Sequence, residues 1–189
     1  MGWLHQLSRI GWIAARFGTI AAKKQRRSQP EEAAMTNIVF TAMPAKDAED
    51  FRAGAADAYG NRPETAVSPG GMPCRHCLDQ IGAGEAMLVL AYRPFPSLQP
   101  YAETGPVFLH AEACDRYPLT DILPPMLDSP DYIVRGYGDD DRIVYGTGAV
   151  TATGEIVSRA RALLGREDVA YVHVRSARNN CYQCRIAKA

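Results

Sequence analysis

The sequence predicts an α+β protein built mostly from antiparallel sheet, with about six or seven strands and two helices. Short apolar runs rich in β-branched and aromatic residues recur along the chain, and Gly, Pro, Asn and Asp separate them. Only two segments have the composition and spacing of a helix, and the strands do not alternate with helices as parallel βαβ units would. A chain of 189 residues is long enough for one domain with a core. We predict a single domain at residues 35–189 after an N-terminal extension at 1–34.

The first half of this domain begins with the apolar run IVFTAM, which predicts a strand at 37–43. Helix-forming residues at 45–59 follow, and then a loop at 60–72 that is rich in Gly and Pro. The run AMLVLAYR predicts a strong strand at 86–93, and PVFLHA predicts another at 106–111. Between them, the loop RPFPSLQPYAETG at 93–105 carries three prolines, and long irregular loops of this kind are often functional.

The second half begins with irregular chain at 118–130, which contains four prolines. Strands at 131–137 and 142–151 form a predicted hairpin around the turn GDDD. A helix is predicted at 155–164, with Thr153 as its cap and Gly165 at its end. Strands at 168–177 and 181–187 complete the domain, and the pair Asn179–Asn180 suits the turn between them.

The extension at residues 1–34 has apolar residues at three- and four-residue steps and a basic end, which predicts an amphipathic helix or a disordered segment. Three interpretations stay open: a membrane-surface anchor, a targeting peptide, or an upstream translation with Met35 as the true start. We favour Met35, because MTNIVF opens like the first strand of a domain. No apolar run is long enough for a membrane span, and Arg16 interrupts the run that a secretory signal would need. The prediction is therefore a cytoplasmic protein.

The charge distribution bears on the partners of the protein. The chain has 21 basic and 21 acidic residues, of which six and two fall within 1–34. The predicted domain is left with 15 basic and 19 acidic residues, a net charge of −4. Because binding to nucleic acid depends on neutralising phosphates, we expect no nucleic-acid partner. An unidentified small molecule or protein is the expected partner, with membrane contact only if residues 1–34 are genuine.

The cysteines and histidines predict a metal site. Cys74 and Cys77 form a C-x-x-C pair, and His110 and Cys114 follow at the end of a predicted strand. Zinc prefers four ligands of these types in a tetrahedral array. The C-x-x-C turn, followed by an I-x-x-G-E step into a strand, resembles a zinc knuckle of the treble-clef kind. Three cysteines and one histidine are therefore the predicted ligands, with zinc as the predicted cofactor.

Three alternatives to this ligand set stay open. A second pair, Cys181 and Cys184, can join the first in a four-cysteine site, although residues three apart in a strand face opposite sides. The motif CRHC can also be a redox pair whose thiolate is stabilised by its basic neighbours. Finally, all five cysteines can be buried free thiols, as is common in a reducing compartment.

A polar face of the sheet gives a second hypothesis, an enzyme or ligand-binding protein with a site for an anionic small molecule. Alternation along the late strand and the hairpin, together with the loop above them, predicts a cluster of basic, aromatic and acidic side chains. Arginine binds carboxylate and phosphate groups through two parallel hydrogen bonds, which suits such a ligand. The alternative is an ordinary solvated outer face. The candidate ligand-binding residues are Arg75, His76, Arg93, Tyr101, Glu103, Arg135, His173 and Arg175.

No catalytic residues can be assigned from spacing, and the sequence leaves open whether the protein is an enzyme. Neither a G-x-S-x-G nor an H-E-x-x-H motif occurs.

Four segments carry a resemblance to a known family. PCRHCL, GEAMLVLAYRPF, PYAETGPVFLHAEAC and VHVRSARNNCYQCRI resemble the bacterial family known only as domain of unknown function 1203. The resemblance covers about residues 73–185, and PYAETGPVF is its most specific part. It implies a domain that begins near Met35 and implies no activity.

Overall fold

The computed structural model describes residues 36–189. The predictions made for residues 1–34 lie outside the described residues. The α+β class and the mostly antiparallel sheet are confirmed. The described part contains ten strands, two α-helices and one 3₁₀ turn. In chain order they are β1 (Ile38–Thr41), α1 (Ala45–Arg52), β2 (Glu64–Val67), β3 (Met72–Pro73), β4 (Gln80–Ile81), β5 (Ala86–Tyr92), β6 (Gly105–His110), β7 (Asp131–Tyr137), β8 (Ala149–Ala152), the 3₁₀ turn Thr153–Glu155, α2 (Ile156–Leu164), β9 (Tyr171–Ser176) and β10 (Tyr182–Lys188).

The largest sheet has five antiparallel strands in the order β1-β10-β9-β7-β8. One of its faces packs against α2, which turns Ile156, Ala160, Leu163 and Leu164 inward at helical spacing. From the sheet, residues such as Val134, Val172 and Ile186 meet this helix and are fully buried. This layer forms the first hydrophobic core.

A second core surrounds a three-stranded sheet of order β2-β5-β6. Leu90 of β5 and Leu109 of β6 lie in it, together with Ala48 of α1 and the buried Cys74. The short hairpin β3–β4 extends from this core and carries the C-x-x-C pair in its turn. The second core therefore lies directly under the predicted metal ligands.

The other face of the five-stranded sheet is covered by the loop that joins β5 to β6. Phe95 of this loop packs on Tyr137 and Tyr171, and all three are buried. His173 is 0% exposed and Arg175 is 4% exposed. The alternative of a solvated outer face is wrong for these residues, because the proline-rich loop lies over them.

Several element bounds differ from the predicted ones. The first helix ends at Arg52 instead of residue 59, because Gly54 adopts φ +88° and the chain leaves the helix there. Strand β2 and the hairpin β3–β4 are too short to give a clear alternation pattern, which explains the higher strand count. Thr153 does not cap α2: it begins the 3₁₀ turn, and its hydroxyl donates to the carbonyl of Ser129. Among the described residues, no helix has the length and apolar character needed to cross a membrane.

Candidate metal centre

The turn between β3 and β4, residues 74–79, is called the knuckle here and is closed by two backbone hydrogen bonds. The backbone N–H of Leu78 donates to the carbonyl of Cys74 at 3.1 Å, and the N–H of Cys74 donates to the carbonyl of Asp79 at 2.9 Å. Leu78, directly after Cys77, adopts φ +53°, a left-handed conformation that is unfavourable for a branched side chain. The two hydrogen bonds close the turn tightly enough to hold this conformation.

The knuckle lies against the end of β6. Cys74 forms an isolated parallel bridge with Phe108, and the N–H of Arg75 donates to the carbonyl of Phe108 at 3.0 Å. His110 is the last residue of β6, and Cys114 lies in the irregular chain that follows. This packing brings three separate stretches of chain to one point.

The four predicted ligands come together at that point. One ligand atom from each of Cys74, Cys77, His110 and Cys114 lies within 4.8 Å of the others. Cys77 Sγ is 3.5 Å from Nδ1 of His110. Cys74 is fully buried and the other three are half-buried, so the cluster lies at the rim of the second core. Three thiols and an imidazole make a donor set that fits zinc.

Two charged side chains that sequence analysis missed support the cluster. Arg52, at the end of α1, donates through Nη2 to Cys114 Sγ at 3.2 Å and through Nε to the carbonyl of His110 at 3.2 Å. Glu85 Oε2 lies 3.5 Å from Nε2 of His110 and accepts the N–H of Gly82 at 2.8 Å. Metal-binding histidines commonly donate their second ring nitrogen to a carboxylate in this way. The I-x-x-G-E step contained the signal for Glu85, but nothing near Arg52 pointed to this site.

The electrostatics of the cluster favour a thiolate at Cys74. A hydrogen bond from Cys77 lowers the pKa of Cys74 to about 4, against the opposing effect of burial. Backbone N–H groups of Cys77, His110 and His76 also point at this sulfur and lower its pKa. The pKa of Cys77 is raised, first by its hydrogen bond to Cys74 and then by burial. Burial likewise raises the pKa of Cys114. Of the three thiols in the cluster, that of Cys74 therefore loses its proton most readily.

The alternative pair Cys181 and Cys184 does not join this cluster. Cys184 lies in the first core, on the α2 side of the sheet. Cys181 Sγ contacts the carbonyl of Asn179 at 3.6 Å, in the turn before β10. Among the described residues, neither belongs to the group whose ligand atoms lie within 4.8 Å of one another. The predicted alternative of a site formed by Cys74, Cys77, Cys181 and Cys184 is therefore wrong. None of the five cysteines forms a disulfide.

Part of the predicted ligand-binding face also converges, around Glu103. Its Oε2 accepts hydrogen bonds from Nη2 of Arg135 at 2.5 Å and from the hydroxyl of Tyr137 at 3.0 Å. Arg175 Nη1 lies 3.2 Å from the same oxygen. These arginines and hydrogen bonds hold the pKa of Glu103 below its ordinary value, even though burial raises it. The chain's own carboxylate therefore lies between the two arginines, at the position where the prediction placed an anionic ligand.

The other predicted ligand-binding residues have separate environments. His173 is buried among the rings of Phe95, Tyr137, Tyr171 and Tyr182. Arg75 is buried too, and it donates to the carbonyls of Tyr182 and Pro73. His76 lies beside the candidate metal centre, with Nδ1 3.4 Å from Cys114 Sγ, while Tyr101 pairs with Tyr145. Arg93 lines an open cavity.

Comparison with known families and proteins agrees with the resemblance seen in the motifs. A family model described as "Protein of unknown function (DUF1203)" matches residues 71–188. This range includes all four residues of the candidate metal centre. No curated protein and no solved structure matches the chain.

Proposed function

Since this chain belongs to the DUF1203 family of proteins of unknown function, we propose from its site that it is a zinc-binding protein whose metal centre serves a structural or binding module. Cys74, Cys77, His110 and Cys114 are the proposed ligands. The observation that carries this proposal is the approach of their four ligand atoms to within 4.8 Å of one another. Around zinc, sulfur ligands lie about 3.8 Å apart, since Zn–S bonds are roughly 2.3 Å long. A contraction of about 1 Å at the widest pair is enough to reach this geometry.

Four protein ligands fill a tetrahedral zinc site, which is the pattern of structural centres, whereas catalytic centres keep a position for water or substrate. The ligands come from the β3–β4 turn, the end of β6 and the chain after it. A metal here would tie these segments together. Arg52 supports the assignment, because three thiolates on one Zn²⁺ leave a net negative charge that its guanidinium offsets.

The redox interpretation of the C-x-x-C pair has less support. Cys74 would be the attacking thiolate, and it is 0% exposed, so a disulfide substrate has no access to it. The helix that follows the motif in thioredoxin-like sites is replaced here by a turn and the strand β4. The low pKa of Cys74 fits a metal ligand equally well.

Elemental analysis of the purified full-length protein tests the proposal. We expect about one zinc per chain, and the Cys77→Ser and Cys114→Ser variants should lose it. Cys181→Ser is the matched control, because it removes a thiol outside the cluster and should leave the metal content unchanged.

Reconstitution with Co²⁺ provides a second readout, since a tetrahedral thiolate site gives intense visible and charge-transfer absorption. This measurement uses the wild-type chain and does not depend on variants that fold poorly. A wild-type protein that holds less than about a tenth of an equivalent of metal after reconstitution, with all five thiols titratable, would exclude the centre.

A further inference from the structure

A cavity of ≈ 280 Å³ opens beside the loop that covers the five-stranded sheet. It lies where the β1–α1 junction, the start of the loop and β10 meet. Arg185 of β10 stands on the same sheet face as His173, its register partner on β9. The cavity is therefore distinct from the metal cluster and adjoins the polar face that the sequence predicts to bind a ligand. Arg93, one of the predicted ligand-binding residues, lines this cavity.

Positive charge dominates this cavity. Arg93, Arg116 and Arg185 line it, against one carboxylate, Asp47. None of these three arginines forms an ion pair with a carboxylate among residues 36–189. Asp47 accepts a hydrogen bond of 3.4 Å from the hydroxyl of Tyr92. This cluster of three arginines contrasts with the net charge of −4 of residues 35–189. Three unpaired guanidinium groups at one cavity raise the local concentration of anions.

The arginines are held in place before any ligand arrives. Arg116 donates Nε to the carbonyl of Met43 and Nη2 to that of Ala42, at 3.0 and 2.9 Å. Arg93 donates Nε to the carbonyl of Phe95 at 3.3 Å. Arg185 lies over the ring of Tyr171, 3.6 Å from its centroid. In each arginine at least one guanidinium nitrogen stays available to donate to a ligand. Because the side chains are already ordered, binding costs less conformational entropy.

The rest of the lining is apolar or aromatic, and it includes the start of α1. Tyr92, Phe95 and Tyr182 line the cavity together with three prolines. One of these, Pro44, is the N-cap of α1, and this helix start has no side-chain cap. The combination of fixed arginines and aromatic walls suits a molecule with one charged end and one apolar end.

We propose that this cavity binds a small organic oxyanion, with its phosphate or carboxylate group on Arg93 and Arg185 and its apolar part against Tyr92 and Tyr182. Arginine forms paired hydrogen bonds with either group. Asp47 limits the affinity, because its carboxylate faces the same cavity.

Calorimetric titration of the full chain at low ionic strength tests this proposal, with phenyl phosphate, benzoate and inorganic phosphate as probes. We expect saturable one-to-one binding of phenyl phosphate or benzoate to the wild-type protein, tighter than that of inorganic phosphate. Arg93→Gln and Arg185→Gln should each weaken it at least about tenfold, since each removes a charge-assisted hydrogen bond. The preference between phenyl phosphate and benzoate identifies the class of oxyanion, and either preference supports the cavity as a binding site.

Two further variants make the result decisive. Arg178→Gln removes the same charge from an exposed arginine paired with Asp131, and it should change the affinity less than twofold. Asp47→Asn removes the opposing charge and should tighten binding several-fold, a gain that a poorly folded variant cannot imitate. The proposal is overturned if neither organic probe binds saturably, if Arg93→Gln and Arg185→Gln bind as the wild type does, or if Arg178→Gln weakens binding as much as they do.

Discussion

The carboxylate of Glu85 lies 3.5 Å from Nε2 of His110. This contact favours the tautomer of His110 that carries its proton on Nε2, which leaves the lone pair of Nδ1 free to bind a metal. Nδ1 is the atom that lies 3.5 Å from Cys77 Sγ inside the cluster. The chain thus orients the imidazole with the ligand atom toward the proposed metal and the donor atom toward a carboxylate.

The first prediction concerns this carboxylate. Glu85→Gln should lower the affinity for zinc about tenfold, because an amide orients the His110 ring less strongly and no longer increases its basicity. Competition with a chromophoric chelator measures this affinity. Glu112→Gln is the control, since it removes an exposed carboxylate between His110 and Cys114 that makes no contact with the ring. Equal zinc affinity in Glu85→Gln and wild type would show that Glu85 does not tune the ligand.

Sequence patterns predicted the approach of Cys74, Cys77, His110 and Cys114 better than they predicted the residues around them. A C-x-x-C turn and a strand-end histidine are local signals, and the treble-clef resemblance joined them across 32 intervening residues. Arg52 had no such signal, because it reaches Cys114 from a helix 62 residues away, and only tertiary packing reveals that contact.

The polar face shows a different limit of sequence reasoning. Alternation placed Arg135, His173 and Arg175 on one side of the sheet, as the structure does. It did not show that the loop would cover this side or that Glu103 would reach both arginines. Whether a loop residue is a ligand contact or an internal counter-charge depends on where the loop folds, and composition does not determine that. The fold class, by contrast, followed from the apolar periodicity of the longer strands and α2.

The second prediction tests Glu103 as an internal counter-charge. Glu103→Gln leaves Arg175, which is only 4% exposed, without its carboxylate. Breaking a buried pair in this way costs about 3 kcal/mol, so the free energy of unfolding at pH 7 should fall by about that amount in urea titrations. Asp121→Asn, which breaks the exposed pair with Arg161, should cost less than about 1 kcal/mol.

The effect of Glu103→Gln should also depend on pH. Because the pKa of Glu103 is lowered in the folded state, its stabilisation is fully present above the ordinary carboxyl pKa. This stabilisation is lost as the pH falls through the lowered pKa that Glu103 has in the folded protein. The difference between wild type and Glu103→Gln should therefore stay constant near neutrality and shrink below about pH 4.5. A difference that persists unchanged at pH 3 would mean that the charge of Glu103 is not what stabilises the face.

The third prediction concerns His173. Burial lowers the pKa of His173 well below its ordinary value, and Arg175, Arg185 and Arg135 lower it further. Both ring nitrogens lack a hydrogen-bond partner among the described residues. The ring is therefore neutral in the folded protein, whereas the unfolded chain takes up a proton below about pH 6.5. The groups that face it are Arg135 and Tyr137 of β7, Tyr171 and Arg175 of β9, Tyr182 and Arg185 of β10, and Phe95 of the loop.

His173→Phe should remove this acid sensitivity. From about pH 6.5 downward, the wild type should lose up to about 1.4 kcal/mol of unfolding free energy per pH unit more than the variant does. At pH 8 the two should have similar stability, because the phenyl ring replaces an imidazole that makes no hydrogen bond. Other histidines and carboxylates titrate in both proteins, so the difference between the two curves isolates His173. Parallel curves between pH 8 and pH 5 would contradict a neutral, buried His173.

The fourth prediction tests the backbone of the knuckle at Leu78, which is fully buried and has φ +53°. Leu78→Ala and Leu78→Gly should both lose about 2 to 5 kcal/mol through the cavity they leave. Glycine adopts a positive φ freely, whereas alanine pays about 1 kcal/mol or more there. Leu78→Gly should therefore be the more stable of the two in urea unfolding.

Leu109 provides the matched comparison, since it is equally buried but lies within β6. In a strand, glycine is less favourable than alanine because it loses more backbone entropy on folding. Leu109→Gly should therefore be less stable than Leu109→Ala by about 0.5 to 1 kcal/mol, the reverse of the order at Leu78. The left-handed turn places Cys77 beside Cys74. If this backbone geometry sets the proposed zinc site, Leu78→Gly should also bind zinc as the wild type does. The same order of stability at both positions would mean that the turn after Cys77 does not hold this conformation.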